Sequence, residues 1–479
     1  MTDEPEDSST IVESPSPRVP ASPRLPVSPS LNPPVSTLSP SRFSVHVAWT
    51  FGARLLMIVN SVAAGIIVAR VLGATGVGEL AVINVSVMTL VQLGSFGLPS
   101  ANTFFVARDP TRFRTVAMNS LVFALVLGSL LAVALIVAAR MRPSWFGFVS
   151  SDLIRVAAIS IPFQLLALIG LNILLAMGKV KEFNLLDLAG QSFVLINSLV
   201  VLVVFHRGLE SLVALNTTAC ILVSAVIAVA LMFSGKRLMD QRSAWRGDWS
   251  LLAQMMRYGF KFHMSILAGA LIFRADLLVV NHFRGASEAG VYSVASQMGM
   301  MLMLLPGVIA TLLFPRVTAE QDKRGEVTCQ VTRYTAFIML LCCLAAVPLS
   351  FLLPVLYGSG FSDAVVQLLI LLVGVYLVGL QSVMVQHFNA MGLPLTIPLF
   401  WLITLATNVA LVFALVPRFG ARGAAVASTI SYSMIFVLVA VHFRVTTGRS
   451  LSDVFLLRRE ELRRLLTFGS TAVRFRSFP

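Results

Sequence analysis

The sequence predicts an all-α polytopic membrane protein of about twelve transmembrane helices, set as two pseudo-symmetric six-helix lobes around a central cavity. Three observations carry this reading. The 479 residues are 57% hydrophobic and only 12% charged, with a mean hydropathy of +0.86, far too apolar for a water-soluble domain. The apolar residues gather in runs long enough to cross a bilayer core, which takes roughly 20 residues as a helix. One stretch also appears twice: Val68 to Val82 and Val280 to Val294 keep Val, Gly-Ala, Gly and Val in step at one constant offset, Gly285 standing to Gly73 as Gly290 stands to Gly78. An internal duplication of this kind implies two related halves.

Residues 1–42 are rich in Pro and Ser and carry neither the apolar run of a signal peptide nor the aromatics of a core, so they read as a disordered tail. The first lobe, 43–233, holds apolar runs at 43–69, 78–107, 116–139, 151–177, 183–205 and 209–233. A basic connection, 234–256, comes next, in which Asp248 is placed to cap a short amphipathic helix bearing Trp249, Leu252 and Met256. The second lobe, 257–443, repeats the plan at 257–281, 288–314, 331–354, 362–391, 393–416 and 420–443. A basic tail, 444–479, closes the chain, its Leu451, Val454, Phe455, Leu462 and Leu466 interleaved with arginines as in a helix lying on a membrane surface.

The net charge of +14 does not point to nucleic acid. With the N-terminus inside, about 25 of the 36 Lys and Arg fall in cytoplasmic segments and about 7 in external loops, the bias expected of a membrane protein with both termini cytoplasmic. The four cysteines lack metal-ligand or disulfide spacing and read as core thiols.

The echo between the halves extends to Ala-Met-Gly, which ends one span in each half at Gly178 and Gly392, and three short motifs occur in a telling order: Ala69 to Glu79 after the first span, Phe314-Pro315-Arg316 closing the eighth, and Phe419 to Ala425 opening the twelfth. With the two six-span halves, this order over residues 43 to 443 resembles the Wzx-type polysaccharide-transport flippases of the MOP superfamily. That resemblance implies two lobes working by alternating access, coupling to an ion gradient, and a cargo of polyprenyl-pyrophosphate-linked oligosaccharide moved to the outer leaflet of a bacterial inner membrane. It also implies a polysaccharide polymerase or assembly complex as partner, and no cofactor or metal.

Such a cargo carries many hydroxyls and a pyrophosphate, which a polar, cationic cavity would solvate and neutralise. Arg54 and Arg274 lie deep in the first and seventh spans and are the candidates for the pyrophosphate, since a guanidinium forks onto phosphate oxygens. Each could instead sit in a structural ion pair. Asp276 and Asp187 are the ion-coupling candidates; Asp276 could equally be a permanent ion pair, with Arg54 as one partner. Two positions apart on a regular helix, Arg274 and Asp276 should diverge. Asn60, Gln92, Gln191 and Gln297 are candidate sugar contacts, with Gln191 one turn from Asp187 and Ser198 further along that face. His263 and His387 read as packed histidines, and Lys261 and Arg155, near span ends, as interfacial anchors. Pro99, Pro162, Pro306 and Pro348 interrupt apolar runs and should bend or break helices.

Rival readings are a MATE-type multidrug exporter, whose cationic cargo favours acidic cavities, and a flippase for the peptidoglycan lipid precursor. A membrane polymerase or ligase fits less well, because the loops are short and hold no paired carboxylates, metal cluster or nucleophile constellation.

Overall fold

In hydrocarbon a backbone amide finds no water, so a chain this apolar has to close its hydrogen bonds within helices. The structure, a computed structural model, describes residues 40–147, 149–238, 246–320, 322, 324–392, 394–450 and 452, and among them there is no strand. Most of the N-terminal tail, the amphipathic pattern beyond Leu451, part of the central connection and the side chains of Lys261 and Phe314-Pro315-Arg316 lie outside the described residues.

The first half contains α1 (Pro40–Gly94), α2 (Leu98–Arg108), α3 (Phe113–Met141), α4 (Ser151–Ala158), α5 (Ser160–Ala176), α6 (Val180–Ser198), whose last turns widen to π geometry over Leu199–Val204, and α7 (Leu209–Leu238). The second contains α8 (Trp249–Arg274), α9 (Asp276–Arg284), α10 (Ala286–Met301), α11 (Leu304–Glu320), α12 (Glu326–Ser350), α13 (Leu353–Tyr357), α14 (Asp363–Ala390) and α15 (Thr396–Thr447). Ten stretches of the described residues are long and apolar enough to cross a membrane. Two of them are outsized, Trp49–Gly94 with 46 residues and Thr396–Thr447 with 52. The shorter of the two, if straight, would measure about 69 Å, twice a bilayer core. Each is bent at one glycine, Gly73 (φ 67°) and Gly420 (φ 60°), in the left-handed region that residues with a Cβ avoid.

Other breaks fall where proline takes away a donor and crowds the preceding turn. Pro99 opens α2 just after a turn at Ser95–Gly97, Pro162 sits in the first turn of α5 behind the break at Ile159, and Pro306 in the first turn of α11 behind that at Leu302. Pro348 lies in the last turn of α12. Between α2 and α3, outside the spans, Asp109 caps the turn Pro110–Arg112; the hydroxyl and N–H of Thr111, with Arg112 beside them, hold its carboxyl below the usual carboxylate range. Asp248 does cap a helix, accepting from Leu251 N–H at 3.1 Å, but not a short separate one: α8 runs on unbroken from Trp249 to Arg274. Reciprocal bonds of 2.8 Å between the Asn119 amide and the Asp248 backbone tie that cap to α3.

Lipid tails are as apolar as leucine, so helix pairing depends on close packing and interhelical hydrogen bonds. Asn408 donates to Ser431 at 3.0 Å, Asn197 to Asn216 at 2.9 Å, and Ser224 to the Phe163 carbonyl at 2.8 Å. Outward faces stay apolar and uncovered: Leu130, Leu222, Leu344 and Val373 are each 58–61% exposed, as a lipid-facing surface requires. His263 stacks on Phe96, 5.8 Å between ring centroids, and His387 packs on Phe388 and Phe443.

Candidate functional site

A cavity of about 700 Å³ lies between the halves, walled by α1, α5, α6 and α7 on one side and by the α8–α9 junction, α10 and Tyr357 on the other. One part of its wall is a joint between two helices. The seventh apolar run is two helices, α8 ending at Arg274 and α9 starting at Asp276, with Ala275 as the joint. Ala275 keeps right-handed helical dihedrals (φ −71°, ψ −22°), so the chain continues in one direction through the joint. Arg274 stands near the middle of the stretch Phe262–Arg284, roughly 18 Å along a helix and near mid-bilayer.

The two charges beside this joint make different contacts. Arg274 turns into the cavity; its Nη1 lies 3.4 Å from Met88 Sδ, and no described carboxylate is within ion-pair reach. Asp276 is also in the cavity wall but is 3% exposed, bonds to groups of the second half, and has no basic partner among the described residues. Its Oδ2 accepts from the hydroxyls of Tyr292 and of Ser428 (2.7 Å), and its Oδ1 accepts from Leu277 N–H (2.8 Å). One carboxylate thereby joins α9, α10 and α15 and occupies the first turn of α9, where the helix dipole favours negative charge.

Arg54 does not pair with Asp276. It meets Asp187 at 3.1 Å and sits 5.9 Å over the ring of Phe183. Asp187 and Gln191, one turn apart on α6, both reach the cavity wall, as does Ser198. Gln297 is in the wall too and donates to Ser61 at 2.7 Å, a bond between the halves. Arg54, Asn60 and Gln92 are absent from this wall. Asn60 donates instead to Ser192 at 2.9 Å, and at Gln92 the main-chain carbonyl accepts from the Ser95 hydroxyl. Cys220, read from sequence as a core thiol, also lies in the wall. Sequence reasoning missed Tyr292 and Ser428 as the partners of Asp276; Tyr292 sits in the duplicated stretch, which was a signal for its place but not for its role.

At the Gly73 end of the cavity the two copies of that stretch meet each other. A Cβ on Gly78 would fall 1.7 Å from the Ala286 carbonyl oxygen, and one on Gly290 would fall 2.0 Å from that of Ala74. Ala74 with Ala286 and Gly78 with Gly290 are the matched pairs of the duplication, so the contact is reciprocal, as between two-fold partners. At the opposite end a second glycine pair makes a similar approach: a Cβ on Gly97 would lie 2.2 Å from the Gly259 carbonyl oxygen.

These features define a polytopic helical membrane protein whose cavity, between two related halves, has a largely apolar wall carrying one cation, Arg274, and two carboxylates, Asp187 and Asp276. The chain belongs to the family described as polysaccharide biosynthesis protein, which matches residues 43–321. It is 27% identical over 186 residues to Probable flippase AglR of Haloferax volcanii, covering 37% of this chain and 38% of that one. It is 24% identical over 281 residues to Succinoglycan biosynthesis transport protein ExoT of Rhizobium meliloti, covering 57% and 54%. The chain thus spans about half or less of the curated relatives it matches. Among solved structures it shares its fold with the lipid II flippase MurJ in an inward closed conformation (TM-score 0.68, 15% identity, 91% and 93% of the two chains). It likewise shares it with an inward-facing multidrug resistance MATE transporter of the MOP superfamily (TM-score 0.64, 16% identity, 84% and 98%).

Proposed function

We propose that the chain is a flippase that moves a polyprenyl-pyrophosphate-linked oligosaccharide from the inner to the outer leaflet of a bacterial inner membrane by alternating access, for surface polysaccharide biosynthesis. In this reading each leg of α1 and α15 is one crossing, giving twelve spans in two lobes with both termini cytoplasmic, and a polysaccharide polymerase or assembly complex receives the product. The observation that carries it is Arg274, a mid-membrane guanidinium in the cavity wall with no carboxylate within ion-pair distance among the described residues. Such a charge costs on the order of 3 kcal/mol at the bilayer centre, a cost that an anionic cargo would offset. Gln191, Gln297, Asn84 and Gln164 in the same wall offer amides to sugar hydroxyls.

The fold does not separate this from drug export, since flippase and exporter structures match it about equally well. Cargo charge does. In liposomes, the wild-type protein is expected to move a fluorescent polyprenyl-pyrophosphate oligosaccharide and to leave a cationic dye where it is; export of the dye with no movement of the lipid would replace the flippase by a drug exporter.

Asp276 is our candidate for coupling to an ion gradient, being buried and without a basic partner among the described residues, with Asp187 second because Arg54 already pairs with it. Asp276→Asn should leave downhill movement of the lipid in place while abolishing its acceleration by an imposed gradient; an intact gradient response would remove Asp276 from the coupling step.

A further inference from the structure

We propose that residues 355–357 form a cap on the cavity that senses the sugar of the cargo, with the Tyr357 hydroxyl as the contact and Arg70 as the residue that positions it. The proposal rests on the cargo class given above. Tyr357 ends α13 in the cavity wall and is 1% exposed, its ring lying against Gly65 of α1. Its hydroxyl is buried and has no hydrogen-bond partner among the described residues. Buried hydroxyls are normally paired, and one left open at the wall of a cavity has both a donor and an acceptor to offer a ligand. A neutral hydroxyl on an aromatic ring suits an uncharged, hydroxyl-rich group, whereas the pyrophosphate belongs with Arg274.

The cap is held by the other half of the chain. Arg70, at the end of the first leg of α1, donates from Nε to the Leu356 carbonyl at 2.8 Å and from Nη2 to the Val355 carbonyl. Those carbonyls belong to the last turn of α13, where no helical donor remains for them, so one planar fork satisfies both and fixes the adjoining Tyr357. The duplication supplies a counterpart. His282 stands to Arg70 as Gly285 stands to Gly73, and it faces the carbonyl of Ser144, the position matched in the same register to Leu356, at 3.0 Å. Asn281 adds a bond to the Phe146 carbonyl at 3.0 Å. Two latches thus close the Gly73 end, each made by one half on a loop of the other. They differ in the residue next to the held carbonyl: Trp145 is 60% exposed and outside the cavity wall, while Tyr357 is inside it. Only the Arg70 latch is linked to the cavity, so cargo bonded to Tyr357 bears on that latch alone.

The test uses the full chain with Cys329, Cys342 and Cys343 changed to alanine, so that Cys220 in the cavity wall reports access. A membrane-impermeant methanethiosulfonate applied from the Gly73 side should modify Cys220 about tenfold faster in Arg70→Gln and in His282→Ala than in the parent, as loss of a charged or well-aligned bond implies. Equal rates would overturn the latches. Binding is then measured for a polyprenyl pyrophosphate bearing one hexose and for the bare polyprenyl pyrophosphate. Tyr357→Phe, which keeps the ring, and Arg70→Gln should weaken the first about tenfold and leave the second unchanged; His282→Ala should alter neither. Equal losses on both lipids in Tyr357→Phe, or loss of the sugar preference in His282→Ala, would overturn the sensing role. Failure of the parent to bind either lipid would sink the proposed cargo and the Tyr357 contact with it, while the labelling rates would still decide the latches.

Discussion

Arg274→Ala is expected to cut transport of a polyprenyl-pyrophosphate oligosaccharide by about a hundredfold while the protein stays folded and monodisperse. Two charge-assisted hydrogen bonds from one guanidinium to phosphate oxygens contribute about 3 kcal/mol, which is that factor in affinity. Folding should survive, because the side chain's one hydrogen bond among the described residues is a weak one to Met88 Sδ and no carboxylate is left unpaired by its loss. Arg54→Ala should behave in the opposite way. Arg54 holds Asp187 and covers Phe183, so its loss leaves a carboxylate in the cavity wall without its partner. Lower thermal stability should then exceed the loss of transport, and Asp187→Asn on the same background should restore part of it. Arg274→Lys, which keeps the charge but loses the fork, is expected to fall between wild type and alanine. Equal transport by Arg274→Ala and wild type would remove the pyrophosphate from this position, and a larger transport defect in Arg54→Ala would move it to α1.

How much of this could be read from the residues depends on what periodicity and spacing carry. Helix content comes from the need to satisfy amides in hydrocarbon, and the breaks at Pro99, Pro162 and Pro306 come from one missing donor each. The repeated stretch announced a duplication, and its glycines have separate uses, Gly73 and Gly285 for positive φ and Gly78 and Gly290 for close approach. Spacing along one helix also placed Asp187, Gln191 and Ser198 on one face, and all three reach the cavity. What spacing cannot carry is which helices are neighbours and how each is turned. Arg54 and Arg274 read alike in the sequence, yet one meets a carboxylate on α6 and the other meets the Met88 sulfur. Arg274 and Asp276 make separate contacts, as two positions of helical phase imply, since Ala275 between them keeps right-handed helical dihedrals (φ −71°, ψ −22°). Tyr357 reads in sequence as an ordinary loop tyrosine, since its value depends on Gly65 and Arg70, far away in the first half of the chain.

The largest conformational effect is expected from a single methyl group at the contact between the two copies. In Gly78→Ala the new Cβ would lie 1.7 Å from the Ala286 carbonyl oxygen, and in Gly290→Ala 2.0 Å from that of Ala74. Both obstacles are backbone atoms in helical segments, so no rotamer change relieves them, and the halves have to part at the Gly73 end. Overpacking of this kind costs about 3 kcal/mol, enough to shift a balance between closed and open by roughly a hundredfold. Spin labels at Val71 and Phe283, themselves a matched pair of the duplication and both exposed, would report it. Either alanine variant should lengthen the distance between them, and the double variant should add little, because the first methyl already separates the surfaces that the second would strain. Transport should fall in all three, since alternating access requires this end to close as well as to open. Unchanged distances with unchanged transport would mean that the glycine contact is incidental to closure and that Arg70 and His282 hold the end without it.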